Sequence, residues 1–270
     1  MHRESFASKL NSTRNLIKRL LSEHEKPVVA CSFGKNSMVV LHLVYQFNPN
    51  VNVLFNDTLV EYPDTYEFKK IITPNWNINL IQTKPIKTFW WIVKNYGFPL
   101  YSRKGYQDAS KYCCLYLKEY PIEKVLRTHN FDLYFTGLSR HESRLREFSA
   151  KKYGNYFYSK RHKHWKCHPI QDWTDDDVWK YHEIYNLPHN SLYDKKAPDG
   201  FIVRTGCWCC TIPIRFGKIE FLRKNYPHLW RLLIKKGLGR LILEKKVGIN
   251  LDNGQIEHLM ETRPCFFDKC

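Results

Sequence analysis

Short apolar runs alternate with longer amphipathic stretches over most of the chain. The apolar runs, rich in β-branched and aromatic residues, cover 28–33, 53–56, 78–83, 133–138 and 167–170. Stretches long enough for a crossover helix lie between them, at 37–47, 63–72, 84–96 and 114–128. This alternation is typical of βαβ units. The pattern therefore predicts an α/β fold with an open, mostly parallel twisted sheet and helices on both faces.

The two ends of the chain have a different pattern. Leu10, Ile17, Leu20 and Leu21 lie among cations at helical spacing and predict an amphipathic N-terminal helix within residues 1–26. After residue 170 the chain continues with an acidic helix start, an irregular stretch and a basic, Leu-rich tail. We therefore expect three parts, listed here by residue: the N-terminal helix (1–26), an α/β domain (27–170) and a mainly helical region packed on it (171–270).

The charge balance narrows the choice of partners. The chain has 43 Lys and Arg against 26 Asp and Glu, a formal net charge of +17. Polyanions such as nucleic acids are the natural partners of such a protein. No apolar run approaches the ~18 residues of a membrane span, and the N-terminus lacks the apolar core of a signal peptide. We expect a cytoplasmic protein with no membrane partner.

The nine cysteines are unevenly distributed. Five of them fall in two tight clusters, Cys113–Cys114 and Cys207, Cys209, Cys210. In a reducing compartment, clustered thiols more often bind metal or perform redox chemistry than form disulfides. The odd total also argues against a closed disulfide framework. These clusters are therefore candidates for a metal or redox site.

A polar turn joins the first predicted strand to an apolar helix. Its residues are Ser32, Phe33, Gly34, Lys35, Asn36 and Ser37. A turn in this position directs backbone N–H groups and the positive end of the helix dipole at a bound anion, for which phosphate is the best candidate. The turn is not a Walker A loop, because the spacing G-x-x-x-x-G-K-[ST] is absent.

Asp57 and Thr58 end the second predicted strand and are followed by the segment LVEYPDTYEF. The carboxyl ends of neighbouring parallel strands share one crevice, so both residues should lie beside the 32–37 turn. Here the chain resembles the PP-loop superfamily and, within it, the phosphoadenosine phosphosulfate (PAPS) and adenosine phosphosulfate (APS) reductase family. SFGKNS is similar to the family's SxGKDS signature, with Asn36 in place of the usual Asp.

Three further blocks extend the resemblance, in order, so that it covers roughly residues 26–213. They are TGLSRHESR at 136–144, HPIQDWTDDDVW at 168–179 and LPHNSLYD at 187–194. The resemblance implies an adenine nucleotide alpha hydrolase-like fold whose PP-loop domain (27–170) binds APS, PAPS or ATP, with Mg²⁺ as a candidate companion. It implies that the nucleotide contacts the 32–37 turn, Asp57, Thr58, Gly137, Arg140 and Arg144, and that Lys35 and Arg140 take part in catalysis.

The cysteine clusters resemble the CC…CxxC set of the family's iron–sulfur subgroup. The resemblance implies that Cys113, Cys114, Cys207 and Cys210 hold a [4Fe-4S] cluster. The same four thiolates could bind a tetrahedral zinc ion instead. Adjacent cysteine ligands and the family precedent favour iron, and Cys209 could take the place of Cys210.

Two reactions remain open from the sequence, and the first is the reduction of APS or PAPS. In the family a protein thiolate attacks the sulfonate sulfur, AMP or PAP leaves, and a thiol or a thioredoxin-like electron donor then releases sulfite. The family supplies this thiolate from an ECGxH-like tail that the chain lacks. Cys265 and Cys270 are the candidates to replace it.

The alternative is an ATP-dependent sulfurtransferase that adenylates tRNA or DNA and releases pyrophosphate. GCWCCT at 206–211 resembles the GCWxCT of PAPS-reductase-like proteins of DNA phosphorothioation systems, and the net charge of +17 suits a nucleic-acid substrate. The basic run 151–166 has the composition of a polyanion-binding hairpin or loop, although an ordinary solvated surface explains it equally well. Of the two reactions, the family resemblance favours the reductase over the sulfurtransferase by a narrow margin. A homodimer is a candidate assembly.

Overall fold

A computed structural model describes residues 4–102, 105–106, 108–160, 162–211 and 217–243. The strands within these ranges are β1 (Pro27–Ala30), β2 (Asn52–Asn56), β3 (Leu80–Thr83), β4 (Tyr101–Ser102), β5 (Gly105–Tyr106), β6 (Leu133–Phe135), β7 (Tyr156–Ser159) and β8 (His164–Cys167). Six of them form one sheet in the order β3-β2-β1-β6-β8-β7, and β4 pairs with β5 in a separate ribbon. Within the sheet, all pairs are parallel except β7 with β8. The predicted α/β class with a mostly parallel sheet is confirmed.

The helices of the described residues surround this sheet. They are α1 (Phe6–Glu23), α2 (Lys35–Tyr45), α3 (Pro63–Asn75), α4 (Phe89–Tyr96), α5 (Asp108–Cys114), α6 (Tyr120–Thr128), α7 (Arg144–Tyr153), α8 (Asp175–Ile184), α9 (Lys218–Asn225), α10 (Pro227–Leu233) and α11 (Gly239–Leu243). A single π-helical turn at Leu115–Glu119 joins α5 to α6. The segment Ile234–Leu238 joins α10 to α11 through a kink at Gly237, whose backbone is not helical (φ +110°). Among the described residues, no helix combines the length and the apolarity needed to span a bilayer.

Local capping explains why α8 begins where the acidic run predicts. The Thr174 side chain accepts a hydrogen bond from the Asp177 backbone N–H (3.2 Å), and the Asp177 carboxylate accepts one from the Thr174 N–H (2.8 Å). This reciprocal pair satisfies two donors that a helix N-terminus otherwise leaves unpaired. The three aspartates of the first turn also lie at the positive end of the helix dipole.

The last parallel strand is the one clear error in the predicted strands. The apolar run predicted a strand at 167–170, whereas β8 covers His164–Cys167 and a turn follows it. Ile170 is completely buried in this turn, and the Thr13 hydroxyl of α1 donates to the carbonyl of the neighbouring Pro169 (3.1 Å). The apolar signal of the run therefore reflects burial beneath α1 and not strand pairing.

Two main hydrophobic cores hold the chain together. The first contains the sheet's inner residues with α1, α2 and α8, where Ile17, Leu41 and Tyr181 are completely buried. The second joins α4 and the Cys113 region to the irregular segment around Trp208 and to helices α9 to α11. The second core therefore brings the two cysteine clusters together, although they are far apart in sequence.

Candidate nucleotide site and thiol cluster

The 32–37 turn lies at the point where the strand order of the sheet reverses. The strand β1 pairs with β2 on one side and with β6 on the other. In open α/β sheets, ligands bind in the crevice outside the carboxyl ends of the strands at such a reversal. The turn leads directly into α2, with Gly34 as its N-cap. Its position is therefore that of an anion site at a helix N-terminus.

The turn holds its own shape. Phe33 adopts a left-handed backbone conformation (φ +54°), which is uncommon for a residue with a bulky side chain. The Ser37 hydroxyl accepts from the Gly34 N–H (3.1 Å) and donates to the Gly34 carbonyl (2.8 Å). The Asn36 side-chain oxygen is buried and has no hydrogen-bond partner among the described residues. A buried acceptor without a partner is unusual in folded proteins and marks a place where a ligand donor would be accommodated.

Gly137 lets the end of β6 touch this turn. A Cβ built on Gly137 would lie 2.8 Å from the Asn36 carbonyl carbon and 2.9 Å from the Ser37 nitrogen. Since both atoms belong to the backbone, no side-chain rotation would relieve the clash. The close approach of β6 to the turn therefore requires glycine at this position.

Lys35 does not point freely into the crevice. Its ammonium forms an ion pair with the Asp175 carboxylate and lies 5.2 Å from the centre of the Trp179 ring. Its side chain is only 10% exposed, and its backbone N–H donates to the Tyr193 hydroxyl (3.2 Å). A phosphate would have to compete with Asp175 for this ammonium.

A segment that follows α8 lies directly on the turn. The Thr205 hydroxyl is 3.3 Å from the Ser32 hydroxyl, and a Cβ on Gly34 would collide with it. The Asn190 amide donates to the Phe33 carbonyl (3.4 Å) and to the Thr65 hydroxyl (3.1 Å). These contacts place Asn190 and Thr205 against the 32–37 turn.

Asp57 organises the end of β2. Its buried carboxylate accepts hydrogen bonds from the Tyr66 hydroxyl (2.7 Å), the Leu59 N–H (2.8 Å) and the Gln82 amide (2.7 Å). The Leu59 backbone is left-handed (φ +61°), so the bond from its N–H also holds a strained residue in place. Asp57 thus has a structural role that its sequence position did not reveal.

Thr58 links the strand end to the cysteines. It is completely buried and donates to the Glu61 carboxylate (2.7 Å), and the Cys207 Sγ lies 3.5 Å from its hydroxyl. Glu61 forms a β-bridge with Cys207. The crevice at the strand ends and the thiol cluster are therefore neighbours joined by one short segment of chain.

Arginines line the other side of the crevice. Arg140 lies in a short 3-10 turn (Arg140–Glu142), and its Nε is 2.8 Å from the Asp172 carboxylate in ion-pair but not hydrogen-bond geometry. Arg144 is exposed at the start of α7. Arg146 forms an ion pair with Glu142, and burial together with nearby Arg204 lowers the pKa of Arg146 to about 10.

Arg204 extends this group. Its Nη2 donates to the Glu142 carbonyl (3.0 Å), and its Nη1 lies 3.9 Å from the Glu142 carboxylate. Because Arg204 directly precedes Thr205, its guanidinium belongs to the segment that covers the turn. Guanidinium groups are well suited to phosphate and sulfate oxygens.

The four cysteines of the CC…CxxC set form one electrostatic group. All four are free thiols. Burial raises the pKa of Cys207 to about 11, with Lys118 opposing the shift and Cys210 adding to it. Burial also raises the pKa of Cys113 and of Cys114, and Cys210 contributes to both shifts. The pKa of Lys118 is raised above its ordinary value, most strongly by Cys207. The ammonium therefore offsets the negative charge that these thiols would carry as metal ligands.

The chemistry of this donor set suits a metal–sulfur centre, because four thiols and a cation meet in a largely buried place. The positions of these side chains do not yet match those of a complete metal site. Among the described residues, no group of three or more His, Cys, Asp or Glu side chains is arranged to hold a metal ion. The structure thus brings the four cysteines into one neighbourhood without forming a closed ligand set.

The comparison with known families identifies the domain to which most of the chain belongs. Residues 26–213 match the model of the phosphoadenosine phosphosulfate reductase domain. The chain belongs to this family. It is 33% identical over 197 residues to adenosine 5'-phosphosulfate reductase of Bacillus cereus strain 03BB102, covering 72% of this chain and 77% of the relative. It is 30% identical over 171 residues to phosphoadenosine 5'-phosphosulfate reductase of Xylella fastidiosa strain M23, covering 63% and 68%.

Solved structures show the same fold. The phosphoadenylyl-sulfate reductase of Candida auris, a phosphate complex, superposes with a TM-score of 0.53 at 17% identity, over 76% of this chain and 97% of that chain. The FMN adenylyltransferase of Candida glabrata superposes with a TM-score of 0.52 at 12% identity, over 73% and 60%. At these identities the likeness concerns the fold alone.

Sequence reasoning about this family member missed several residues that meet the turn. They are Asp175, Trp179, Asn190, Tyr193, Arg204 and Thr205. Four of them, Asp175, Trp179, Asn190 and Tyr193, lie in the family blocks at 168–179 and 187–194. The sequence showed these blocks as family motifs but did not show that they meet the turn. The predicted residues Cys265 and Cys270 lie outside the described residues.

Proposed function

We propose that the chain is a sulfonucleotide reductase that binds APS or PAPS in the crevice at the end of β1 and reduces it to sulfite and AMP or PAP. The observation that carries the proposal is the contact between Gly137 and the 32–37 turn. It places the family's two nucleotide motifs against each other at the reversal of the sheet. The named relatives support the choice of a sulfonucleotide.

The phosphates of the nucleotide would lie against the 32–37 turn, where the N-terminus of α2 favours negative charge. Asp57 and Thr58 would lie on the side of the crevice that holds the adenosine. Asp57 would act there by fixing the backbone at the end of β2 through its bonds from Leu59 and Tyr66. Arg140, Arg144 and Arg204 would supply donors for the sulfate oxygens on the other side. Lys35 would exchange its partner Asp175 for a phosphate oxygen on binding.

The reaction needs a thiolate. Its sulfur would form a bond to the sulfonate sulfur while the bond from that sulfur to the phosphate oxygen breaks and AMP or PAP leaves. A second thiol, from a thioredoxin-like donor, would then attack the protein sulfur, forming a disulfide and releasing sulfite. Cys265 and Cys270 are the candidate nucleophiles, because the four cysteines of the CC…CxxC set would be metal ligands.

We propose that Cys113, Cys114, Cys207 and Cys210 hold a [4Fe-4S] cluster, with zinc as the alternative. When bound, the cluster would supply thiolate-ligated iron next to the nucleotide crevice. Support comes from the shared electrostatic neighbourhood of these thiols and from Lys118, which compensates thiolate charge. Thr58 would hold the Cys207 side of the site in place.

Protein purified without oxygen is expected to be brown and to contain iron. Cys113→Ala and Cys207→Ala should each remove the visible absorbance, because each deletes a thiolate ligand. Cys31→Ala is the matched control, since Cys31 is a buried thiol that belongs to the sheet core. Stoichiometric zinc without iron in freshly prepared protein would overturn the iron assignment.

Incubation with APS or PAPS should leave an S-sulfonated cysteine at Cys265 or Cys270, together with AMP or PAP. Mass spectrometry of the intact and digested protein detects the sulfonate. A chain truncated after Arg263 lacks both thiols and should neither form the adduct nor release sulfite with a dithiol reductant. Full activity of the truncated chain would rule out a tail thiol as the nucleophile.

A second candidate is an ATP-dependent sulfurtransferase that acts on tRNA or DNA. Its support is the net charge of +17, which exceeds what a small nucleotide requires. This candidate predicts pyrophosphate release from ATP in the presence of the acceptor and keeps its activity after truncation at Arg263. Sulfite release from APS or PAPS without any nucleic acid would exclude it.

A further inference from the structure

Helix α7 and the β7–β8 hairpin form a basic surface of which the proposed nucleotide site uses only Arg144. Residues 143–167, which include both elements, contain eight Lys and Arg and one Glu. The Glu, Glu147, pairs with Lys151 (2.7 Å). We call the described residues from 144 to 163 the basic face. Such an excess of positive charge is accommodated either by an anionic partner or by water at an exposed surface.

The basic face also exposes large apolar and aromatic side chains. Leu145 and Phe148 are each 65% exposed, one helical turn apart on α7, whereas Ala150 on the same helix is buried. Tyr153, at the end of this helix, is about half exposed. A solvated helix face rarely carries such side chains in succession, and exposed apolar patches often mark an interaction site.

Cations and rings alternate on this face. The Lys152 ammonium lies 5.1 Å from the centre of the Tyr153 ring, and Tyr153 stacks on Phe157 with ring centres 5.1 Å apart. Tyr158 packs edge-on against Trp165 on the opposite side of the hairpin and does not belong to this group of rings, because neighbouring strand residues point to opposite faces. Flat rings held in place beside cations can stack with planar groups of an anionic partner.

The basic face reaches the nucleotide crevice. Helix α7 begins at Arg144, directly after the 3-10 turn that carries Arg140. Glu142 of that turn holds both Arg146 of α7 and Arg204 of the segment over the 32–37 turn. A polymer bound along α7 would therefore extend to the crevice.

We propose that the basic face binds an unpaired strand of nucleic acid. Phosphates would meet the lysines, and bases would stack on the exposed rings, which is how proteins without sequence preference bind single strands. A duplex offers phosphates but no free base faces, so it would contact the lysines but not the rings. The inference rests on the second candidate function and names the surface that would hold its substrate.

The charge component is tested by fluorescence anisotropy with a single-stranded oligonucleotide of roughly 20 nucleotides, a length that covers at least one typical site. RNA, DNA and duplex DNA probes are compared. Lys151→Glu/Lys152→Glu should weaken single-strand binding and flatten its salt dependence, because each lost phosphate contact removes roughly 0.7 from the slope of log K against log salt. Arg223→Glu/Lys224→Glu is the matched control, since both pairs are exposed cations in the last turn of a helix.

The stacking component is tested with Phe148→Ala. Because one base–aromatic stack is lost, the affinity for the single strand should fall by roughly fivefold or more, with an unchanged salt slope. Phe47→Ala, an exposed phenylalanine after α2, should leave the affinity unchanged. Equal losses in the α7 and α9 charge variants, or wild-type affinity in Phe148→Ala, would overturn the proposal.

Two further readouts keep the proposals separate. Circular dichroism and thermal melting check that each variant folds, and binding of AMP, APS and ATP should be unchanged in Phe148→Ala. Nucleic-acid binding without nucleotide binding would refute the proposed function and leave the basic face intact. A face that mediates self-association of the chain instead would appear as a dimer that Phe148→Ala dissociates, with no single-strand affinity in any variant, and would overturn the inference.

Discussion

Gly137→Ala is expected to reduce nucleotide affinity by roughly tenfold to a hundredfold, because a lost hydrogen bond to a charged phosphate costs about 1.5–3 kcal/mol. The new Cβ would lie 2.8–2.9 Å from backbone atoms of Asn36 and Ser37. Either the end of β6 or the 32–37 turn must then move, and the N–H groups of the turn would no longer point at the proposed phosphate position. Isothermal titration with AMP and APS measures the loss.

The control for this variant is Gly154→Ala. Gly154 has backbone angles that essentially only glycine adopts (φ +72°, ψ −166°), and among the described residues no atom outside its chain neighbours lies within 4 Å of the position that an alanine methyl group would take. Alanine there adds local backbone strain of roughly 1–3 kcal/mol without touching the 32–37 turn, and the variant should bind nucleotide normally. Wild-type affinity in Gly137→Ala would show that the turn is not the phosphate site.

Asp57→Ala is expected to lower the free energy of unfolding by roughly 3 kcal/mol, because it leaves buried donors without an acceptor. The Tyr66 hydroxyl and the Leu59 N–H lose their partner, and the Gln82 amide loses its contact. The left-handed Leu59 backbone is no longer held. Urea denaturation followed by circular dichroism gives the unfolding free energy.

Asp57→Asn should cost less than Asp57→Ala. The remaining oxygen of Asn can still accept from Tyr66 and Leu59. Gln82 can turn its amide to accept from the new NH2 group, giving up only its exposed hydrogen bond from Lys69. Asp199→Ala, which removes an exposed carboxylate, should change the stability by less than about 0.5 kcal/mol. A loss in Asp57→Ala no larger than in Asp199→Ala would contradict the structural role of Asp57.

The succession of strands and helices could be predicted from sequence because it depends on local properties. The periodicity of apolar residues marks the strands, and the polar SFGKNS turn marks the passage from β1 to α2. The start of α8 follows from the Thr174–Asp177 capping pair, which lies within four residues. The family motifs, which are also local, then indicated which ends of the strands form the crevice.

Only the tertiary structure decided which distant residues meet at that crevice. Lys35 pairs with Asp175, 140 positions later, and Ser32 meets Thr205, 173 positions later. The β8 strand ends earlier than its apolar pattern indicated because α1 buries the turn at Ile170. Periodicity reports that a residue is buried, but not which element covers it. The joining of both cysteine clusters likewise depends on the second hydrophobic core, whose contacts connect segments that no local pattern relates.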